Sequence, residues 1–208
     1  SYGFRPGRSQ HQALDALTVG ITRRRVNWIL DVDIRGFFDN MSHEWIVKFV
    51  EHRIGDPRVL RLIQKWLKAG VMEQGQWFET EEGTPQGGNL SPMLSNIYLH
   101  YVLDLWFSRR VSRQSQGEAY YFRFADDFVA CFQYSDDAEG FRQRLKDRLE
   151  GFGLELAEEK TRCIEFGRFA RRDAYRRGEN PKEFTFLGLT HYCGKTKEGY
   201  FKVKRRTS

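Results

Sequence analysis

Tyr120-Tyr121-Phe122-Arg123-Phe124-Ala125-Asp126-Asp127-Phe128-Val129-Ala130-Cys131-Phe132 is the stretch on which the reading of this chain turns. Its two halves, 120–124 and 128–132, are rich in aromatic and apolar residues that suit a half-buried pleated surface. Only Ala125-Asp126-Asp127 separates them, a spacing that predicts a tight β-hairpin with paired acids at its tip. A second strand with acids lies upstream. In Asn27-Trp28-Ile29-Leu30-Asp31-Val32-Asp33-Ile34 the period of two puts Trp28, Leu30, Val32 and Ile34 on one face and Ile29, Asp31 and Asp33 on the other. If the two strands are neighbours, Asp33 meets Asp126 and Asp127.

Working outward, Ser9 is an N-cap for a helix carrying Ala13, Leu14 and Leu17, closed by Gly20 and the Arg23-Arg24-Arg25 run. Residues 43–52 and 56–68 are further helices. In the second, Asp56 caps, Pro57 takes the first helical position, and Val59, Leu60, Ile63 and Leu67 form the apolar stripe. Val71-Met72-Glu73 and Trp77-Phe78-Glu79 read as a hairpin that leads into the turn-rich stretch 82–89. Ser91-Pro92 predicts the cap and first turn of a long helix ending near Trp106. A helix from Asp136 or Asp137 to Phe152 carries Ala138, Phe141, Leu145 and Leu149 at helical spacing, and strands follow at 162–166, 184–192 and 200–204. Strands gathered in hairpins with helices between them predict an α+β fold, an antiparallel sheet with helices packed on one face, rather than a doubly wound parallel sheet.

The 208 residues are 40% hydrophobic and 15% aromatic, which excludes a disordered or fibrous chain and suffices for one large or two small cored domains. With no run of about 18 apolar residues and no signal-peptide series, a soluble cytoplasmic protein without membrane contact is expected. Cys131, Cys163 and Cys193 are odd in number and form no CxxC pair, so free thiols are expected rather than a disulfide framework or zinc site. A formal charge of +6 suits a polyanionic partner. The chain opens at Ser1 without Met and stops soon after a strand-like segment, which reads as a piece of a longer protein.

Transfer of a nucleotidyl group uses two divalent ions about 3.5 to 4 Å apart, held by carboxylates. Magnesium takes hard oxygen ligands and keeps water and substrate phosphates in its shell, so two or three converging Asp residues suffice. Asp33, Asp126 and Asp127 meet that demand together, although an Asp pair in a turn is by itself ordinary turn chemistry. Asp31 and Asp39 compete for the role. Asp31 reads as a solvated strand acid and Asp39 as a cap or salt-bridge partner of the following helix.

Six blocks in register resemble group II intron-encoded reverse transcriptases, and together they span nearly the whole chain. Residues 2–9 (YGFRPGRS) look like the family's fingers-palm boundary, and 31–40 (DVDIRGFFDN) like its first catalytic block. Residues 83–92 (GTPQGGNLSP) are similar to its nucleotide pocket, and 122–128 (FRFADDF) to its aromatic-Ala-Asp-Asp hairpin. Residues 158–161 (EEKT) and 184–189 (FTFLGL) complete the series. The resemblance implies a polymerase palm over residues 27–204, with 1–26 as a remnant of the fingers boundary and 205–208 as the start of a linker to a thumb. It implies an RNA-directed DNA polymerase using two Mg2+ ions, replaceable by Mn2+, with an RNA template, a DNA primer, dNTP and intron RNA as partners.

Residue by residue, the resemblance implies that Asp33, Asp126, Asp127 and the Ile34 carbonyl hold the metals, with Lys160 near the triphosphate as charge stabiliser or proton donor. Phe38, with Phe37, Arg35, Gln86 and Gly87, would form the nucleotide pocket, Phe38 walling off a 2′-hydroxyl. Phe124, Ala125, Leu187 and Gly188 would contact the primer; Arg5, Arg8, Pro85, Arg168, Arg171 and Arg172 would contact template or intron RNA. One departure is visible, because Phe124 stands where the family commonly has Tyr. A retron, diversity-generating or CRISPR-associated enzyme, or an RNA-binding maturase with little polymerase activity, shares much of this pattern.

Overall fold

Strand β1 (Trp28–Val32) is central because both of its faces are apolar over Ile29, Leu30 and Val32. In the computed structural model, which describes residues 1–68, 71–73, 76–78 and 90–208, it lies between two antiparallel partners. These are β6 (Asp127–Phe132) and β8 (Arg162–Glu165); β5 (Ala119–Phe124) pairs with the far side of β6, giving the order β5-β6-β1-β8.

The alternation read from the sequence sorts the two faces as expected. Leu30 and Val32 join Phe128, Ala130 and Phe132 in a core roofed by α2 (His43–Glu51), α3 (Pro57–Leu67), α4 (Ser91–Leu99) and α6 (Ser135–Glu150). Ile29 joins Val129, Cys131 and Ile164 on the other face, covered by α1 (Gln10–Arg23), α7 (Ala170–Arg176) and a second antiparallel sheet. That sheet, ordered β11-β10-β9, comprises β9 (Phe184–Phe186), β10 (Leu189–Lys195) and β11 (Phe201–Thr207). Two short ladders complete the described chain: β2 (Ile34–Arg35) with β7 (Glu155–Leu156), and β3 (Val71–Glu73) with β4 (Gln76–Phe78). The architecture is α+β, with four of the helices on one face as read, and the opposite face closed mainly by the second sheet.

Local differences from the sequence reading have physical causes. No Gly or Pro interrupts residues 93–116, so the helix read as ending near Trp106 runs on. It passes through π-helical turns at His100–Asp104 and Phe107–Val111 into α5 (Ser112–Gln114), the π turns re-phasing Val102, Leu103, Phe107 and Val111 onto the core. Ser91 is the first helical residue and is buried; the N-cap is Leu90, with no side-chain cap bond. The Asp137 carboxylate accepts from the backbone N–H groups of Gln116 and Gly117 at 3.0 Å each, so it ties a loop instead of capping α6, which starts at Ser135. The strand read over 184–192 is folded on itself at Leu187-Gly188, the last strand continues to Thr207, and the arginine-bearing segment before β9 forms α7. Among the described residues no helix is long and apolar enough to cross a membrane. All three cysteines are free, and burial pushes the Cys193 thiol up to about 11.

His191 in β10 is fully buried, with its ring stacked on Phe184 at 4.8 Å and its Nδ1 3.0 Å from the Leu189 carbonyl oxygen. Burial lowers its pKa to about 4. The unfolded chain therefore takes up the proton first, and the stability held by the neutral ring is complete above the ordinary His range and drains away as pH falls towards 4. His191→Phe keeps the stack and removes the titration. It is expected to flatten the fall in unfolding free energy between pH 7 and pH 4 by up to about 3 kcal/mol, measured by urea denaturation across that range.

Candidate active site

The hairpin tip is tighter than its sequence spacing suggested. Phe124 pairs with Asp127, leaving Ala125 and Asp126 alone in a two-residue turn, so Asp127 is the first residue of β6. Ala125 has φ +55° while Asp126 is not in the left-handed region, the sign pattern of a type II′ turn whose first corner ordinarily takes Gly. An alanine held there is strained, and such strain gathers at working sites.

Register brings Asp33 to the same end of the sheet. The last pair of β1 and β6 is Val32 with Phe128, so Asp33 and Asp127 each lie one residue beyond it on adjacent strands. Asp33 then leaves β1 for β2, its carbonyl accepting from Ala157 N–H at 3.0 Å. Desolvation at the tip, followed by the charges of Asp126, Asp33 and Asp31, pushes the Asp127 carboxyl up to about 6. Four carboxylates thus act on one another across the end of the sheet.

Among the described residues no three His, Cys, Asp or Glu side chains stand close enough together to enclose an ion unaided. The donor set nevertheless suits a hard divalent cation: these are oxygen ligands only, and their mutual repulsion is what such a cation relieves. Lys160 partly meets that demand already, with its Nζ 3.1 Å from Asp33 Oδ2, both groups well exposed. Its turn is fixed to the same strand end, since Lys160 and Thr161 N–H groups donate to the Ala157 carbonyl at 3.1 and 2.9 Å.

Asp31 departs from the reading of a solvated acid. It is paired with Arg162 at 3.0 Å and its side chain is only 18% exposed, because β8 lies beside β1 and carries Arg162 directly opposite. Desolvation raises its pKa, opposed by the Arg162 hydrogen bond. Asp39 lies in a turn where its N–H and that of Asn40 donate to the Gly36 carbonyl at 3.0 Å each.

The same turn sets the neighbouring aromatic pair. Gly36 has φ +52°, Asn40 Nδ2 donates to the Arg35 carbonyl at 3.1 Å, and Phe37 is buried with its ring edge-on to Tyr98 at 6.3 Å. Phe38 is half-buried against the core, edge-on to Phe37 at 5.2 Å. Arg35 is held by Glu155 at 2.7 Å and Glu159 at 2.9 Å. Ile34 is buried in register with Leu156. Pro85, Gln86 and Gly87, with the rest of 83–89, lie outside the described residues.

The N-terminal block braces the tip from outside. Tyr2 N–H donates to the Arg123 carbonyl and Asn96 Nδ2 to the Gly3 carbonyl, both at 2.8 Å. Gly3 lies so close that a Cβ added to it would be 2.4 Å from Ala125 N, which explains a glycine here. Phe4 is exposed, 6.3 Å from the Phe124 ring, while Arg5 and Arg8 are exposed nearby, Arg8 over the Tyr2 ring at 5.7 Å. Leu187 and Gly188, with φ +53° and +72°, make the two-residue turn between β9 and β10, and Gln10 Nε2 donates to the Leu187 carbonyl at 2.9 Å.

Arg168, Arg171 and Arg172 are not gathered with the acids. β8 leads to them past the Trp28–Glu165 pair, at the opposite end of β1, so the length of the five-residue strand, about 16 Å, separates the two regions. They sit on and before α7 among exposed rings, Arg172 over Phe169 at 5.1 Å and Arg171 over Tyr175 at 5.5 Å.

One feature beside the tip escaped the sequence reading. Arg123, 1% exposed, donates to both Asp104 oxygens, to Asn96 Oδ1 and to the Ala125 carbonyl. The available signal was a charged residue inside an otherwise aromatic strand, Tyr120-Tyr121-Phe122-Arg123-Phe124.

Comparisons with known proteins agree with this geometry. Residues 1–191 match the family model described as reverse transcriptase (RNA-dependent DNA polymerase). The group II intron-encoded protein LtrA of Lactococcus lactis is 46% identical over 77% of this chain and 36% of its own. Protein YkfC of Escherichia coli is 33% identical over 78% of this chain and 50% of its own. In fold the chain is similar to apo telomerase from Candida tropicalis, with TM-score 0.69 over 96% of this chain and 40% of that one, at 14% identity. The chain spans half or less of each of these proteins. With a family model matched over all but its last seventeen residues, and with acids at one end of an antiparallel palm-type sheet, this chain belongs to the reverse transcriptase (RNA-dependent DNA polymerase) family.

Proposed function

We propose that residues 27–204 are the catalytic palm of a group II intron-encoded enzyme that extends a DNA primer on an RNA template and supports splicing and mobility of its intron. The observation that carries this reading is the register. It sets Asp33 and Asp127 side by side at the end of adjacent strands, with Asp126 at the turn between β5 and β6.

Asp33, Asp126 and Asp127, with the Ile34 carbonyl, would hold two Mg2+ ions, or Mn2+ in their place. When bound, such ions supply activation of the attacking hydroxyl and neutralisation of charge on the phosphates. The protein's own residues do the rest. Lys160, exposed and 3.1 Å from Asp33, would stabilise charge on the triphosphate or give a proton to the leaving pyrophosphate. Phe38 forms the floor beneath the incoming sugar, beside Arg35, with Gln86 and Gly87 as further contacts. Phe124, Ala125 and the Leu187-Gly188 turn face the primer, and Arg5, Arg8 and Pro85 the template. Primer extension on an RNA template by the full-length protein, wild type beside Asp126→Ala, tests the assignment. Cytoplasmic location belongs to the same reading.

The arginines on and flanking α7 serve structured RNA, such as the intron, rather than the template beside the acids. Of these, Arg172 is paired with Asp173 at 2.7 Å and Arg177 with Glu165 at 2.6 Å and Glu179 at 3.2 Å, whereas Arg168, Arg171 and Arg176 retain donors for phosphate. Replacing those three by Gln is expected to make the slope of log K against log salt shallower by about 2 to 3 for intron RNA. Filter binding across a salt series measures this, with primer extension unchanged as the companion result; an unaltered slope removes the assignment.

A further inference from the structure

Arg123 uses all three nitrogens of its guanidinium in the surroundings of one turn. Nε and NH2 donate to the two Asp104 oxygens at 2.8 and 2.6 Å, a bidentate pair. NH1 donates to Asn96 Oδ1 at 3.0 Å and to the Ala125 carbonyl at 2.8 Å. Asn96 in turn donates to the Gly3 carbonyl at 2.8 Å, so the same side chain clasps the segment that presses on Ala125.

A buried ion pair is weak evidence for stability, because apolar side chains of similar volume fill such a space at no desolvation cost. What the pair supplies is geometry. Asp104 closes a π-helical turn, His100–Asp104, and π turns inside helices are local departures associated with working sites. The carbonyl that receives the remaining Arg123 donor belongs to Ala125, the strained corner directly before Asp126.

We propose that Arg123 is a positioning residue: oriented by Asp104 and Asn96, it fixes the Ala125 corner and thereby the direction of the Asp126 and Asp127 carboxylates. The inference rests on the reading of those two acids as cation ligands. Lysine at position 123 keeps the charge towards Asp104 but lacks the fork that reaches both Asp104 and Ala125. Asn96→Ala leaves the ion pair intact and removes the link from the guanidinium to Gly3, together with the bond that Asn96 Oδ1 accepts from Ser1 Oγ at 3.4 Å.

The test uses the full-length protein with Arg123→Lys, Asn96→Ala and Asp126→Asn beside wild type. Terbium luminescence, sensitised by the aromatic residues, reads cation affinity without turnover; primer extension gives kcat and the KM for dNTP; thermal melting reports folding. Expected for Arg123→Lys are a terbium affinity weaker by about tenfold and a kcat lower by about 30- to 100-fold, at nearly constant KM. Asn96→Ala is expected to show the same pattern at about a third of the size, with its melting transition retained. A folded Arg123→Lys with wild-type affinity and kcat overturns the proposal. If Arg123→Lys does not fold, Asn96→Ala decides in the same way, and a loss that merely follows the unfolded fraction counts against positioning. Asp126→Asn separates the two ideas: if it leaves terbium binding and extension intact, the cation-ligand reading has failed, and the positioning proposal falls with it.

Discussion

Asp126→Ala in the full-length protein is expected to lower single-turnover primer extension by at least about 10^3-fold, equivalent to about 4 kcal/mol of transition-state stabilisation. The size follows from position. Asp126 is one of two residues in the turn, its backbone course is set by the Ala125 corner and by Arg123, and among the described residues its side chain makes no hydrogen bond or ion pair. Truncation should therefore leave the melting temperature within a few degrees of wild type, or raise it. Removing the Asp126 charge takes away one of the causes holding the Asp127 carboxyl at about 6, so that group shifts down towards its ordinary range. Circular dichroism melts beside quench-flow extension separate the effects. Equal extension by wild type and variant refutes the assignment, whereas a wild type that assists splicing but extends no primer favours an RNA-binding maturase.

What was legible in the sequence is what depends on local periodicity. A central strand repeats every two residues, so the division of Leu30 and Val32 from Ile29 could be read without a structure, and Asp33 followed from it. The hairpin was legible because a short gap between β-prone runs leaves few alternatives. The rest depends on which elements become neighbours. Asp31 lost its solvent because Arg162, 131 residues later, is its partner across the β1–β8 ladder. Asp104 and Arg123 find each other only after a helix is re-phased by π turns that no residue pattern announces. The sequence puts Arg168, Arg171, Arg172, Arg176 and Arg177 within ten residues, yet a run of charges has no direction, and the register of β8 places them at the end of the sheet away from the acids. The resemblance to group II intron-encoded enzymes, later matched by the similarity to LtrA, narrowed the chemistry further than these local signals alone.

Phe38→Val is expected to raise ribonucleotide incorporation relative to deoxyribonucleotide by about 10- to 100-fold, with extension from dNTP lowered by no more than about fivefold. The ring is positioned by the turn before it and the ring beside it. Gly36 at φ +52° reverses the chain, Phe37 is driven into the core against Tyr98, and Phe38 is left half-buried and edge-on to Phe37. On the proposed reading a rigid ring so placed would exclude a 2′-hydroxyl by contact, and valine withdraws several atoms from that contact without adding a polar group. Excluding an added atom sterically is worth about 1 to 3 kcal/mol, which sets the range. Phe37→Val is the informative contrast. Its ring is 3% exposed, so its truncation should cost about 2 to 4 kcal/mol of stability and change nucleotide choice little. Steady-state kcat/KM for dNTP and rNTP, measured beside urea melts, distinguishes the two residues. If Phe38→Val instead destabilises the fold as Phe37→Val does and leaves sugar discrimination unchanged, Phe38 is a packing residue and the floor of the nucleotide site must be built elsewhere.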